Sequence, residues 1–191
     1  MDPFESVGFG LALGFSLAVP PGPMNALIAS ISARSIRAGT VTAFGAMSAD
    51  LLLGAIVLSL STVVDLHSVI RPVDALGAVV LAYFGVRILR HPDPGPSVPT
   101  DDARTYSQAL VAGLTNPFQV VWWLTAGLAF ARLGGAILLL GLFGAVAAWV
   151  VLFPRAVFRG AQRSPRAYRG IVVLSGAIML AFAAYFALLA L

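Results

Sequence analysis

Apolar residues fill most of the chain and fall into six long runs separated by short polar or charged stretches. The runs cover residues 7–31, 43–64, 72–89, 109–131, 133–153 and 171–191. A helix needs roughly 20 mainly apolar residues to cross a bilayer, and each run is near that length. The pattern therefore predicts an all-α integral membrane protein with six transmembrane helices and no separate soluble domain.

The composition indicates a membrane protein and excludes sites that depend on cysteine. Of 191 residues, 59% are hydrophobic and only 10% are charged, which is too apolar for a soluble domain of this length. The chain has no cysteine, so disulfides and thiolate metal sites are excluded. We expect no metal site and no cofactor.

The positions of the charges predict the topology. All twelve basic residues are arginine, and ten of them fall in three alternate connections: Arg34, Arg37, Arg87, Arg90, Arg104, Arg155, Arg159, Arg163, Arg166 and Arg169. The opposite side has two arginines and four acidic residues, namely Arg71, Arg132, Asp2, Glu5, Asp65 and Asp74. By the positive-inside rule, both termini lie outside and the basic loops lie in the cytoplasm. We expect these arginines to meet lipid headgroups rather than nucleic acid, in a prokaryotic plasma membrane.

The two halves of the chain match at a constant offset. Gly14 aligns with Gly113, an offset of 99 residues, and the same shift places "FGAMSAD" on "FGAVAAW" and "GAVVLAY" on "GAIMLAF". Repeat one covers about residues 4–89, a proline-rich linker about 90–105, and repeat two about 106–191. Because each repeat has three spans, the second must enter from the opposite side. The sequence predicts two inverted three-helix repeats, which are typical of secondary transporters with alternating access.

Each repeat has a helix-breaking sequence in its first span. "VPPGP" interrupts the first span and "TNPF" the fourth, and proline lacks the backbone N–H that a helix needs. At membrane depth such a break is tolerated only inside the protein or beside a wet cavity. Paired breaks at matching positions of two halves indicate a transport site.

The residues at these breaks form the predicted substrate site. We expect the first helix to stop near Val19 and to restart near Pro23, so that its new N-terminus can hold a carboxylate and the freed carbonyls an amine. The predicted binding residues are Pro20, Pro21, Gly22, Pro23, Asn25, Thr115, Asn116, Pro117 and Gln119. The arrangement suits a small zwitterion, although structural kinks without function are the competing interpretation.

Asp50 is the ionisable residue placed deepest within an apolar run. Ala43, Ala46 and Gly54 share its helix face, and such small residues allow close helix packing. A carboxyl group at this depth is a functional hypothesis by default, and we assign it proton coupling. A carboxyl group that is only hydrogen-bonded to a neighbouring helix is the alternative. At the repeat offset Asp50 aligns with Trp149. The tryptophans at positions 122 and 123 are expected to serve in packing.

The chain resembles the LysE/RhtB family of amino-acid exporters over nearly its whole length. The resemblance rests on "PGP" at residues 21–23, "GLTNP" at 113–117, "GAVVLAYFGVRILR" at 77–90, and Gly45 with Asp50 in the second span. It implies a six-span bundle that moves amino acids or similar metabolites outward, driven by the proton-motive force. It also implicates residues 21–23, Asn116, Pro117 and Asp50. The family commonly has lysine after the asparagine–proline pair, where this chain has Phe118.

Three functions remain open from the sequence. The leading one is a secondary exporter of amino acids or similar zwitterions, with protons, the solute and the lipid bilayer as its partners. A cation or metal-ion exporter on a related scaffold is the second. The third is a membrane enzyme or a non-catalytic assembly protein, and an enzyme is not expected, because the spans lack a catalytic set of histidines, carboxylates or metal ligands. Small-residue faces on spans three and six would permit a homodimer.

Overall fold

The computed structural model describes residues 2–19, 22–60, 70–90, 101–124 and 128–190. Within these ranges the regular structure is helical throughout. The helices are α1 (Pro3–Ala18), α2 (Pro23–Ser32), α3 (Ile36–Leu60), α4 (Ile70–Arg90), α5 (Asp102–Leu114), α6 (Pro117–Trp122), α7 (Leu128–Ala161) and α8 (Pro165–Ala190). The expected all-α class is confirmed for the described part of the chain.

Several helices begin at residues whose side chains cap them. Asp2 accepts a hydrogen bond from the backbone N–H of Glu5, and the Glu5 side chain returns a bond to Asp2, which is a capping box at the start of α1. Asp101 caps α5 in the same position, and the Ser164 hydroxyl accepts from the third residue beyond it at the start of α8. These polar residues therefore fix where the apolar helices start.

Both predicted breaks are present. Helix α1 ends at Ala18 and α2 begins at Pro23, with their axes bent by 76°. Helix α5 ends at Leu114 and α6 begins at Pro117. In both cases proline is the first residue of the new helix, where its missing N–H costs no hydrogen bond. Pro20 and Pro21 lie outside the described residues.

The boundary between the fourth and fifth apolar runs differs from the expected one. Helix α7 already includes residues 128–134, and its backbone departs from helical geometry at Gly135, where φ is +57° and ψ is −149°. A positive φ is easily reached only by glycine, so the chain turns at this residue rather than at Arg132. The long apolar helix of this region then runs over Gly135–Ala161.

The apolar character of the helices identifies a membrane protein. Three helical stretches in the described chain are long and apolar enough to cross a bilayer, namely Ile36–Ser59, Gly135–Ala161 and Pro165–Ala190, and α1 with α2 adds a fourth if the bent pair crosses as one. Large apolar side chains are also widely exposed, as at Val79 (67%) and Leu140 (71%). A soluble monomer rarely exposes such a surface. The count of six spans remains a prediction.

Helices from the two halves of the chain pack against each other. Helix α1 lies along α7, α3 along α5, and α4 along α8. Glycines permit the close approach: a Cβ atom at Gly14 would lie 2.7 Å from the Cβ of Ala145, and one at Gly113 would lie 2.5 Å from the Cβ of Ala49. The halves are therefore interleaved, and the core lies between them.

The small-residue faces of α4 and α8 meet inside one chain. A Cβ atom at Gly85 would lie 3.2 Å from the carbonyl oxygen of Gly176, and one at Gly176 would lie 2.6 Å from the Leu89 side chain. We expected these faces to be exposed and available to a second copy. Gly85 and Gly176 instead pack within the chain, and the homodimer remains a prediction.

The arginines lie mostly within helix ends rather than in loops. Arg155 and Arg159 belong to α7, Arg166 and Arg169 to α8, and Arg163 occupies the short turn between them. The side of the membrane on which these ends lie remains a prediction. Asp74, which we grouped with the acidic loop residues, is buried in α4 with 3% of its surface exposed. Asp65 and the neighbouring His67 lie outside the described residues.

Candidate substrate cavity at the helix breaks

One cavity lies where the two helix breaks approach α3 and α7; we call it the break cavity. It contains about 530 Å³ of space free of protein atoms, a volume that includes its open mouth. Its walls come from the end of α1, the start of α2, the middle of α3, Asn116 with the start of α6, and α7. The polar or aromatic side chains on it are Asn25, Asp50, Asn116, Phe118, Gln119 and Trp149.

At the first break, Asn25 links the two helix segments. Its side-chain amide donates to the carbonyl oxygen of Ala18 at 2.5 Å, and its oxygen accepts from the indole N–H of Trp149 at 3.1 Å. The carbonyl oxygen of Ala18, the last residue of α1, is thus hydrogen-bonded within the protein. The start of α2 is different, because its N-cap residue is Gly22, which has no side chain to bond the first turn. Gly22, Pro23 and Met24 line the break cavity, so the positive end of the α2 dipole points into it.

At the second break, Asn116 serves as the N-cap of α6. Its oxygen accepts from the backbone N–H of Phe118 at 3.2 Å, and its amide donates to Oε1 of Gln119, also at 3.2 Å. Only 1% of Asn116 is exposed, so these bonds are formed in a desolvated setting. The N-terminus of α6 is consequently capped from within, unlike that of α2.

Asp50 lies on α3 between the two breaks, and 6% of it is exposed. The indole N–H of Trp123 donates to its Oδ1 at 3.2 Å, and the Gln119 side chain also contacts the carboxyl group. Gly54, one turn further along α3, makes room for Trp123: a Cβ atom there would lie 2.7 Å from the indole ring. The face of α3 that contains Asp50 therefore looks into the bundle, as the small residues predicted.

The described lining of the break cavity contains a carboxyl group but no positively charged side chain. Asp50 is the one charged residue among the described residues that line it. The described part of the chain also contains no group of three or more histidine, cysteine, aspartate or glutamate residues placed to hold a metal ion. A single carboxyl group facing an uncapped helix N-terminus can take a ligand that has one positive and one negative group.

Comparison with known proteins identifies the family of the chain. The family model for LysE, the LysE type translocator, matches residues 15–190. The chain belongs to the LysE type translocator family. Members of this family are transporters rather than enzymes, and membership suggests export of amino acids or similar substrates. No curated protein and no solved structure matches the chain. The resemblance drawn from the sequence motifs is thereby confirmed.

The structure of this LysE family member brings most of the predicted site residues to one place. Gly22, Pro23, Asn25, Asn116 and Gln119 all line the break cavity together with Asp50. Two predicted residues lie elsewhere. Pro117 is buried against α4, where Gly77 makes room for its ring, and the Thr115 hydroxyl donates to the carbonyl of Val111 within its own helix.

Two tryptophans have polar roles that the sequence did not predict. Trp149 was noted only as the residue aligned with Asp50, yet it lines the break cavity, bonds Asn25 and stacks on Phe153 at 4.8 Å. Trp123 does fill space, since it is fully buried, but it is also the hydrogen-bond donor to Asp50. The alignment of Trp149 with Asp50 at the repeat offset was the one signal in the sequence that pointed to a special position.

Proposed function

We propose that the chain is a secondary exporter of amino acids or similar small zwitterions, working by proton antiport and alternating access. It acts as a six-span transporter of two inverted three-helix repeats in a prokaryotic plasma membrane. The observation that carries the proposal is that one cavity combines both helix breaks with the buried carboxyl group of Asp50. Broken helices that meet at a binding cavity are the usual construction of substrate sites in such transporters.

The zwitterion is recognised at two points of the break cavity. Its ammonium group pairs with the carboxyl group of Asp50, which Trp123 and Gln119 hold in place from the protein side. Its carboxylate faces the first turn of α2, whose N-cap residue Gly22 has no side chain to bond it. Removing both charges from water is offset only if each finds its partner, so the two recognition points act together.

Asp50 couples transport to protons because its carboxyl group can hold either a proton or the substrate ammonium group, but not both. An ionised carboxylate binds the substrate ammonium, and a protonated carboxyl group leaves the cavity without that attraction. The substrate then binds from inside when Asp50 is ionised and leaves when a proton arrives from outside. Competition for one carboxyl group prevents the proton and the substrate from being carried together. The exchange is obligatory when, in addition, the transporter changes conformation only with one of the two bound, and each ligand biases that change through its differential binding.

The helix pairing supports the inverted-repeat part of the proposal. If the halves correspond at the offset of 99, then α1 corresponds to α5 and α7 to α3, so the pair α1–α7 should be repeated as α5–α3. Both pairs are in contact. The aligned glycines lie at both contacts: a Cβ atom at Gly14 would lie 2.7 Å from the Cβ of Ala145, and one at Gly113 would lie 3.8 Å from the Cα of Ala46, which aligns with Ala145, and nearer to Ala49. Each repeat thus packs its broken helix on the second helix of the other.

Exchange in proteoliposomes tests the proposal. Vesicles containing the purified protein are loaded with a labelled amino-acid mixture, and acidifying the outer medium should accelerate efflux. Asp50→Asn should lose this acceleration, because the amide neither ionises nor pairs with ammonium. Glu5→Gln is the matched control, since it also removes one carboxylate but keeps a capping-box residue on exposed α1.

Two outcomes contradict the proposal. If no amino acid leaves the wild-type vesicles faster than protein-free ones, the substrate assignment is wrong. If Asp50→Asn responds to the proton gradient as the wild type does, the carboxyl group does not couple transport. The variants Ser107→Cys and Arg163→Cys test the predicted cytoplasmic location of the basic helix ends. A thiol reagent that does not cross the membrane should label neither cysteine in intact cells and both after the cells are opened, and labelling in intact cells would contradict that location.

A further inference from the structure

We propose that the break cavity selects amino acids with an uncharged, apolar side chain of moderate size. This inference rests on the proposed function and adds the substrate class. The cavity walls decide the selectivity, because every amino acid has the ammonium and carboxylate groups that the two recognition points hold.

The walls away from those points are apolar. Met24 and Ile28 come from α2, Met47 from α3, and Phe118 from the start of α6, and the half-buried Trp149 completes the wall from α7. Methionine side chains adapt to ligands of different shape, and aromatic rings provide large apolar contact area. A branched or thioether side chain placed here loses its contact with water and gains contact with these residues.

The polar groups near these walls are already engaged. Asn25 bonds both Trp149 and the Ala18 carbonyl, and Asn116 bonds both Gln119 and the Phe118 N–H. A polar substrate side chain would have to share donors and acceptors that already make internal hydrogen bonds. A hydroxyl group is therefore disfavoured, although an apolar pocket rejects an added hydroxyl only by a factor of about 100 or less.

Charged side chains face a larger obstacle. Asp50 is the one charged residue on the described lining, and the ammonium group of the substrate backbone uses it. A lysine-like substrate would bring a second cation with no carboxylate to meet it, and a glutamate-like substrate would bring a second anion with no cation. An uncompensated buried charge is far more costly than a buried hydroxyl. Phe118 contributes directly, since it holds an apolar side chain at the cavity wall beside the second break.

Competition in the exchange assay tests this inference. Labelled leucine is exchanged across the proteoliposome membrane, and unlabelled leucine, methionine, valine, threonine, lysine and glutamate are added in turn. Leucine, methionine and valine should compete at similar concentrations. Threonine should need about 10 to 100 times more than its isostere valine, and lysine and glutamate should need more than 100 times the leucine concentration.

A pair of variants ties the selectivity to the cavity wall. Phe118→Lys places a cation in the wall and should raise the relative competition by glutamate at least about tenfold, which corresponds to about 1.4 kcal/mol. Phe118→Leu keeps the wall apolar and should preserve the order of the competitors. A general loss of folding cannot produce a change in the ratio of glutamate to leucine competition.

The outcomes separate the two proposals. If no amino acid exchanges at all, the proposed function fails together with this inference. If amino acids exchange but lysine or glutamate competes as well as leucine, only the inference about the substrate class is wrong. An unchanged competitor order in Phe118→Lys would likewise remove the cavity wall as the cause of selectivity.

Discussion

Replacing Gly14 by alanine should loosen the contact between α1 and α7. The new Cβ atom would lie 2.7 Å from the Cβ of Ala145 and closer still to the carbonyl oxygen of Leu142. Carbon atoms in contact are normally about 3.5–4.0 Å apart, so the overlap is about 1 Å. The Leu142 oxygen belongs to a helix backbone that cannot rotate away. The two helices must therefore separate.

The expected cost follows from this overlap. Overfilling a packed interior costs about 1–3 kcal/mol, while alanine gains up to about 1 kcal/mol over glycine in a helix. Gly8 on the same helix is the matched control, because a Cβ atom there meets nothing within 4 Å. The propensity gain is common to both variants, so the free energy of unfolding of Gly14→Ala should be about 1–3 kcal/mol below that of Gly8→Ala.

Equilibrium unfolding in mixed detergent micelles, followed by circular dichroism, measures this difference. Gly113→Ala should behave like Gly14→Ala, since its Cβ atom would lie 2.5 Å from the Cβ of Ala49 at the corresponding contact of α5 with α3. Equal stability of Gly14→Ala and Gly8→Ala would refute the packing of α1 on α7. A loss at Gly14 without one at Gly113 would refute the equivalence of the two contacts.

Three further changes have defined expectations. Asn116→Ala removes the N-cap of α6 and should lower the free energy of unfolding by about 1 kcal/mol, whereas Asn116→Ser should retain most of it; thermal melting in detergent compares them. Gly135→Ala forces a side chain onto a backbone with φ of +57° and should lower the free energy of unfolding by about 1–2 kcal/mol in the same measurement. An unchanged melting temperature would show that residue 135 does not have a positive φ. Arg37→Ala breaks an exposed ion pair with Asp102 and should change stability by less than about 1 kcal/mol, with a larger loss indicating a buried contact instead.

Local chemistry made the helix breaks predictable. Proline removes a donor and fixes φ wherever it occurs, so the restarts at Pro23 and Pro117 follow from the residues themselves. The interior position of Asp50 was predictable for a similar reason, because the small residues on its face indicate where a neighbouring helix can approach. In both cases the deciding interaction lies within a few residues along the chain.

Contacts between distant segments were not predictable in the same way. The bond from Trp149 to Asn25 spans 124 positions and that from Trp123 to Asp50 spans 73. Whether an indole N–H meets a polar group depends on how two helices are rotated about their axes, which a single sequence does not fix. The turn at Gly135 was missed because adjacent Gly134 and the nearby Arg132 offered equally plausible boundaries.

Side-chain hydrogen bonds satisfy part of the backbone at the first break. An unpaired carbonyl in hydrocarbon costs several kcal/mol, and Asn25 removes that cost for Ala18 by donating its amide. Trp149 then satisfies the Asn25 oxygen. The Ala18 carbonyl at the end of α1 is thus bonded by a protein group, while the start of α2 lines the break cavity. This difference between the two helix ends supports the proposal that the carboxylate binds at α2.

The central claim is that the break cavity holds the substrate, and protection of an introduced cysteine tests it most directly. The natural chain has no cysteine, so Met47→Cys on the cavity wall and Ser107→Cys on the exposed side of α5 each provide a single reactive thiol. In detergent-purified variants that still exchange leucine after reconstitution, leucine should slow maleimide labelling of the cysteine at position 47 and leave that at position 107 unchanged. Labelling at position 47 that is unaffected by leucine concentrations saturating exchange would show that the substrate binds elsewhere.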